Sequence, residues 1–142
     1  MTNLAETLSL SPFEAVIFDM DGTLLDTEAV FKSIVFDVCA ELGFEMTEAV
    51  HSSMVGSSHE RTNQLLIEAY GVAFPYTLFD EKCRVIMRER AHAGVPVKPG
   101  VRDFLGALAE RDIPMAVATS SRNPHAQHHL GAAGLLELFR TV

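Results

Sequence analysis

An apolar run of β-branched and aromatic residues, Ala15-Val16-Ile17-Phe18, stops at Asp19-Met20-Asp21-Gly22-Thr23. A run of that kind ending in carboxylates and a glycine predicts a buried parallel strand with a functional loop at its C-terminal end. A second run, Met115-Ala116-Val117-Ala118, ends in Thr119-Ser120-Ser121. A strand-helix-strand unit takes about 30 residues, yet the two strand ends, at positions 19 and 119, lie 100 residues apart. The excess predicts an insertion. The chain reads as α/β, a parallel-sheet core with a small α-helical cap inserted after the first strand.

Within the insertion, Asp26 or Thr27 can cap a helix whose stripe is Val30, Phe31, Ile34, Val35, Val38 and Leu42, stopped by Gly43. Further helical patterns run from about Ser58 to Tyr70 and from about Leu78 to Ala93. Gly94-Val95-Pro96-Val97-Lys98-Pro99-Gly100 forbids continued helix and reads as the return linker. Val101, Phe104, Leu105 and Leu108 then make a short amphipathic helix, and Asn123-Pro124 opens a last one; Leu138-Phe139 leads into a third strand. The division expected is core at 13–24, helical cap at 25–97 and core again at 98–142. So few strands seldom make a parallel sheet, and the chain looks too short for its own architecture.

The 11 basic and 19 acidic residues give a formal net charge of -8. An acidic surface of that size repels nucleic acid and anionic membranes, so neither is an expected partner. Cys39 and Cys83 sit among apolar neighbours at helical spacing and read as buried thiols. Met1 to Pro12 has no basic, apolar leader pattern, and no apolar run reaches membrane-span length. A reduced, cytoplasmic protein is expected.

Asp19 and Asp21, spaced i, i+2 at a strand end, can converge their carboxylates, and two such charges repel unless a proton or cation lies between them. A hard divalent ion that takes oxygen ligands, typically Mg²⁺, answers that need. Gly22 lets backbone approach a ligand closely, while the Thr119 and Ser120 hydroxyls, with Arg122 nearby, could hold phosphate oxygens. Both clusters fall at the C-terminal strand edge, where open parallel sheets bind ligands. A calcium loop numbered from Asp19 would need glycine at 24 and glutamate at 30; those are Leu24 and Val30. A structural turn explains Asp21-Gly22 alone, but not two chemically equipped strand ends.

Phe18-Asp19-Met20-Asp21-Gly22-Thr23-Leu24-Leu25-Asp26-Thr27-Glu28 resembles the first signature of the haloacid dehalogenase superfamily, and Ala118-Thr119-Ser120-Ser121-Arg122-Asn123 its second. The intervening helices and Lys98-Pro99-Gly100-Val101 are similar to the cap and return linker of the β-phosphoglucomutase-like branch, with a likeness to pseudouridine-5′-phosphatase relatives. The resemblance implies a Rossmann-like core and a Mg²⁺-dependent phosphatase of a small phosphorylated metabolite. In it Asp19 is the nucleophile that forms an aspartyl-phosphate and Asp21 the general acid and base. The metal is held by Asp19 and by the Asp21 backbone carbonyl. Gly22, Thr119, Ser120, Ser121 and Arg122 hold the phosphate.

The superfamily's third motif is a lysine after the second strand, and its fourth an acidic pair after a later strand. Here the only lysines, Lys32, Lys82 and Lys98, precede Thr119, and past Arg122 the only acidic residue is Glu137. Twelve residues after the nucleophile the mutase has a histidine where this chain has Phe31. The mutase's cap arginine is replaced around His59, with Arg61 one step away. The two missing motifs imply that these 142 residues are the N-terminal portion of a longer enzyme and on their own a very poor phosphatase. The changes at Phe31 and His59 favour a phosphatase over a phosphosugar mutase; a non-catalytic truncated phosphate-binding module is the alternative from another class. Among residues outside the motifs, His125, His128 and His129 read as a solvated helix face rather than a metal cluster. His51 and His59 either line the substrate cavity or serve turns.

Overall fold

The computed structural model describes residues 12–142, so the leaderless reading of Met1 to Pro12 falls almost wholly outside the described residues. β1 (Val16–Phe18) pairs in parallel with β2 (Met115–Val117), Val16 opposite Met115 and Phe18 opposite Val117. The ladder extends past both ends, with the Val16 N–H on the Pro114 carbonyl at 3.0 Å and the Ala118 N–H on the Phe18 carbonyl at 2.8 Å. Leu138, expected to lead into a third strand, instead closes a 3-10 turn, Leu136–Leu138. Pairing resumes two residues later. The Arg140 N–H reaches the Met115 carbonyl at 2.9 Å, and the Val117 N–H reaches the Thr141 carbonyl at 3.0 Å, along the other edge of β2.

Between the strands run α1 (Thr27–Glu41), α2 (Glu48–Met54), α3 (His59–Tyr70), α4 (Tyr76–Ala93) and α5 (Val101–Glu110); α6 (His125–Ala132) follows β2. Asp26, Thr47 and Ser58 cap the first three, each accepting the N–H three residues on, which answers one orphan donor per helix start. Sequence reasoning did not find α2. It has seven residues and buries only Met54, too little for a periodic signal.

Apolar burial falls into two clusters. Met20, Leu24, Leu25, Leu105, Leu130 and Leu135 join β2 beneath the sheet, whereas Ile34, Val35, Val38, Leu66, Phe79 and the two cysteines fill the helical module α1–α4. Each fully buried Leu or Ile stabilises its cluster by about 1.5–3 kcal/mol. Phe74 anchors the module, with Phe44 at 4.9 Å, Tyr70 at 5.6 Å and Phe79 at 5.4 Å between ring centroids.

The chain leaves the sheet and returns to it side by side. Leu25 bridges Val97 antiparallel, the Asp26 N–H reaches the Pro96 carbonyl at 2.8 Å, and the Lys98 N–H reaches the Leu24 carbonyl at 3.0 Å. No helix among the described residues is long and apolar enough to cross a membrane.

Candidate active site

The loop after β1 folds around one carbonyl. The Met20 oxygen accepts the N–H groups of Thr23, Leu24 and Leu25 at 3.3, 2.9 and 3.1 Å, while buried Met20, Leu24 and Leu25 anchor the loop in the core. Asp19 and Asp21, on either side of Met20, are left at the surface as exposed and half-buried carboxylates. One Asp19 oxygen, Oδ1, accepts the Met20 N–H at 2.9 Å, which orients the carboxylate and leaves Oδ2 for chemistry. Gly22 sits at φ +73°, a left-handed conformation that favours glycine, whereas a Cβ there would meet only the flexible end of the exposed Glu28 side chain.

The loop after β2 meets this one. Ser121 Oγ donates to Asp21 Oδ2 at 2.9 Å, and the Ser121 N–H donates to Thr119 Oγ1 at 3.1 Å. Thr119 accepts in that bond and so keeps its hydroxyl hydrogen for a ligand. Ser121, expected on phosphate, directs its hydroxyl hydrogen to Asp21 instead. Ser120 and Arg122 are exposed, and the Arg122 carbonyl accepts the Ala126 N–H at 3.1 Å.

Sequence reasoning missed Lys98. Its ammonium donates to the Gly22 carbonyl at 3.3 Å, so the return linker is tied directly to the loop after β1. Nothing in the local sequence signals this, because the partners are 76 residues apart.

A cleft of about 750 Å³ opens between the loop and the helical module, a small-molecule size. It reaches Asp21 but not Asp19 or Thr119. His51 and His59 both line it, as does Phe31. His59 Nδ1 lies 3.3 Å from the Tyr76 hydroxyl and 3.6 Å from Asp80 Oδ1. Arg61 pairs with Glu68 at 3.4 Å and is not part of the lining. Five carboxylates, Asp21, Asp26, Glu28, Glu48 and Asp80, face one lysine, Lys32, itself paired with Glu48 at 2.7 Å.

The donor set suits a hydrated hard cation. The Asp19 carboxylate and the Asp21 carbonyl are both oxygen ligands, and Mg²⁺ keeps several waters while taking one or two carboxylates plus substrate phosphate. No group of three or more metal-ligating His, Cys, Asp or Glu side chains forms among the described residues, the histidines of α6 included. His125 and His128 are exposed, as a solvated face requires, but His129 is half-buried. Burial lowers its pKa, Asp21 opposes that shift, and His128, His125 and His92 add to it.

The family profile of haloacid dehalogenase-like hydrolases matches residues 16–142. A phosphorylated carbohydrates phosphatase of Thermotoga maritima is 31% identical over 134 residues, covering 89% of this chain and 58% of its own. Among solved structures, a Thermotoga maritima protein assigned as a β-phosphoglucomutase is 29% identical with a TM-score of 0.72, covering 91% of this chain and 60% of that one. A Deinococcus radiodurans hydrolase with bound phosphate and sodium is 26% identical with a TM-score of 0.76, covering 89% and 55%. The chain thus spans somewhat more than half the length of each.

Proposed function

The chain belongs to the haloacid dehalogenase-like hydrolases, and from that premise we propose a Mg²⁺-dependent phosphatase of a small phosphorylated metabolite that works through an aspartyl-phosphate. The observation that carries this reading is the meeting of the two strand-end loops, with Ser121 of one holding Asp21 of the other at 2.9 Å beside Asp19.

In the proposed reaction an Asp19 oxygen attacks phosphorus as the bond to the alcohol oxygen breaks, and Asp21 gives its proton to that leaving oxygen. Water then attacks the acyl phosphate. Asp21 takes the water's proton, and Asp19 and phosphate are released. The Thr119 hydroxyl and loop N–H groups supply hydrogen bonds to the transferring phosphoryl oxygens. Asp19 and the Asp21 carbonyl would hold the Mg²⁺, which when bound offsets the negative charge of phosphate and carboxylate. Residues 25–97 act as a cap over the substrate, and the cytoplasm, where the two thiols stay reduced, is the fitting location.

Phosphatase is favoured over mutase by the cleft. A mutase must hold a second phosphate, whereas the cap side of this cleft is dominated by carboxylates, and Arg61 is engaged with Glu68. The test is phosphate release by the whole protein from a panel of phosphomonoesters with Mg²⁺, with acid quench and mass analysis of the Asp19 peptide. Turnover with a phosphate adduct on Asp19 is expected. Undiminished turnover in Asp19→Asn would overturn the mechanism.

A further inference from the structure

A second, smaller pocket of about 260 Å³ lies between α4 and α6 and shares no lining residue with the cleft. Its polar lining is Arg88 and His92 from α4, and His125, His128 and His129 from α6. No carboxylate lines it, in a chain whose formal net charge is -8. The His92 and His128 rings meet edge to face across the seam with centroids 4.7 Å apart, and His128 and His129 lie 6.5 Å apart. Arg88 is exposed and makes no ion pair among the described residues.

One atom in this cluster lacks a partner. His129 Nδ1 is buried and makes no hydrogen bond among the described residues. Buried polar atoms are nearly always satisfied by protein, water or ligand, and this one belongs to a residue that lines the pocket. We propose that the pocket binds a small oxyanion, a phosphate or carboxylate group, at a site separate from the phosphoryl-transfer loop.

The chemistry favours that class. Arg88 offers a fork of N–H donors, and each protonated imidazole offers two more. An anion seated among imidazoles binds their protonated forms more tightly than their neutral ones, so anion and protons are taken up together. The charged and titratable groups concerned are Arg88 and His92 from α4, His125, His128 and His129 from α6, and Asp21, whose field reaches His129 from the β1 loop. Because α4 belongs to the helical module and α6 to the sheet core, the bound anion bridges the two.

The test is imidazole NMR of the whole protein, titrated with inorganic phosphate or citrate at constant ionic strength, at pH 6.0 and 7.5. Saturable shifts at His92 and His128 are expected, with binding at least about fivefold tighter at the lower pH. Arg88→Gln, an exposed position, weakens binding several-fold, and His92→Gln with His128→Gln removes it. Asp19→Asn leaves it intact. A response to phosphate alone assigns a phosphoryl occupant, and one to citrate alone a carboxylate. Shifts that do not saturate, that chloride reproduces, that survive Arg88→Gln unchanged, or that vanish in Asp19→Asn would overturn the proposal.

Discussion

Ser121 Oγ donates a hydrogen bond of 2.9 Å to Asp21 Oδ2 across 100 residues of chain, fixing a carboxylate of the loop after β1. A hydrogen bond to a charged group contributes about 1.5–3 kcal/mol. Ser121→Ala is therefore expected to lower kcat by roughly ten- to a hundredfold while leaving KM within about twofold, since orientation and not binding is lost. Ser121→Thr keeps the hydroxyl and recovers part of the rate. A variant whose KM rises with kcat unchanged would put Ser121 on the substrate instead.

The two carboxylates separate by leaving group. Asp21→Asn removes proton donation, which is worth about 10²–10⁴-fold for an alkyl phosphate but much less for nitrophenyl phosphate, whose leaving group needs no proton. Asp19→Asn abolishes turnover of both. Chelation of divalent ions with EDTA also silences both, and added Mg²⁺ restores them. Equal losses for the two esters in Asp21→Asn would remove Asp21 from the acid role.

Lys98 ties the return linker to the Gly22 carbonyl at 3.3 Å in a partly buried position. Lys98→Met is expected to cost about 1 kcal/mol in urea unfolding, the ordinary net contribution of one hydrogen bond. It should also slow turnover several-fold by loosening the loop that carries Asp19 and Asp21. Lys98→Arg keeps a donor and should lie between the two. A destabilised Lys98→Met variant with full kcat would make the contact purely structural.

What the sequence disclosed was what local chemistry encodes. Val16-Ile17-Phe18 stopping at Asp19 marked the strand and its loop, and Gly43 and Gly94 marked helix ends, because apolar runs and breakers act over a few residues. Alternatives left open at Asp26 and Thr27 resolved to an Asp26 cap. What escaped depended on partners distant in the chain. His92 and His128 meet only because α4 returns beside α6, and Lys98 reaches Gly22 only because the two linkers run antiparallel. Pairing along the far edge of β2 starts at Arg140, later than Leu138-Phe139 suggested, for a local reason: the N–H groups of Leu135 and Leu138 bond back to the carbonyls of Leu130 and Leu135, continuing the turn that ends α6.

The two thiols are expected to be unreactive. Burial in the helical module pushes Cys39 up to about 11 and Cys83 up to about 12. At pH 8 the thiolate fraction of Cys39 is then about a hundredfold below that of the same thiol in unfolded chain. Labelling with a thiol reagent should accordingly be slow in native protein and fast in urea. Rapid labelling of the native protein would mean that the cluster around Ile34, Val38 and Phe79 opens readily.

His129 gives stability a pH dependence with a definite sign. Burial holds its folded-state pKa below the ordinary histidine value, His128, His125 and His92 push in the same direction, and Asp21 pulls the other way. In the unfolded chain the ring titrates near 6.5. Between that value and the lower folded one, the unfolded state binds more protons, so stability rises with pH across the window. The contribution is complete above about pH 6.5 and is lost as pH falls through the folded pKa. Urea midpoints should therefore decline on acidification from pH 7 to 5.5. His129→Gln, which cannot titrate, should flatten that decline, whereas Asp21→Asn, by removing the opposing field, should steepen it. An unchanged slope in His129→Gln would assign the acid sensitivity to other groups.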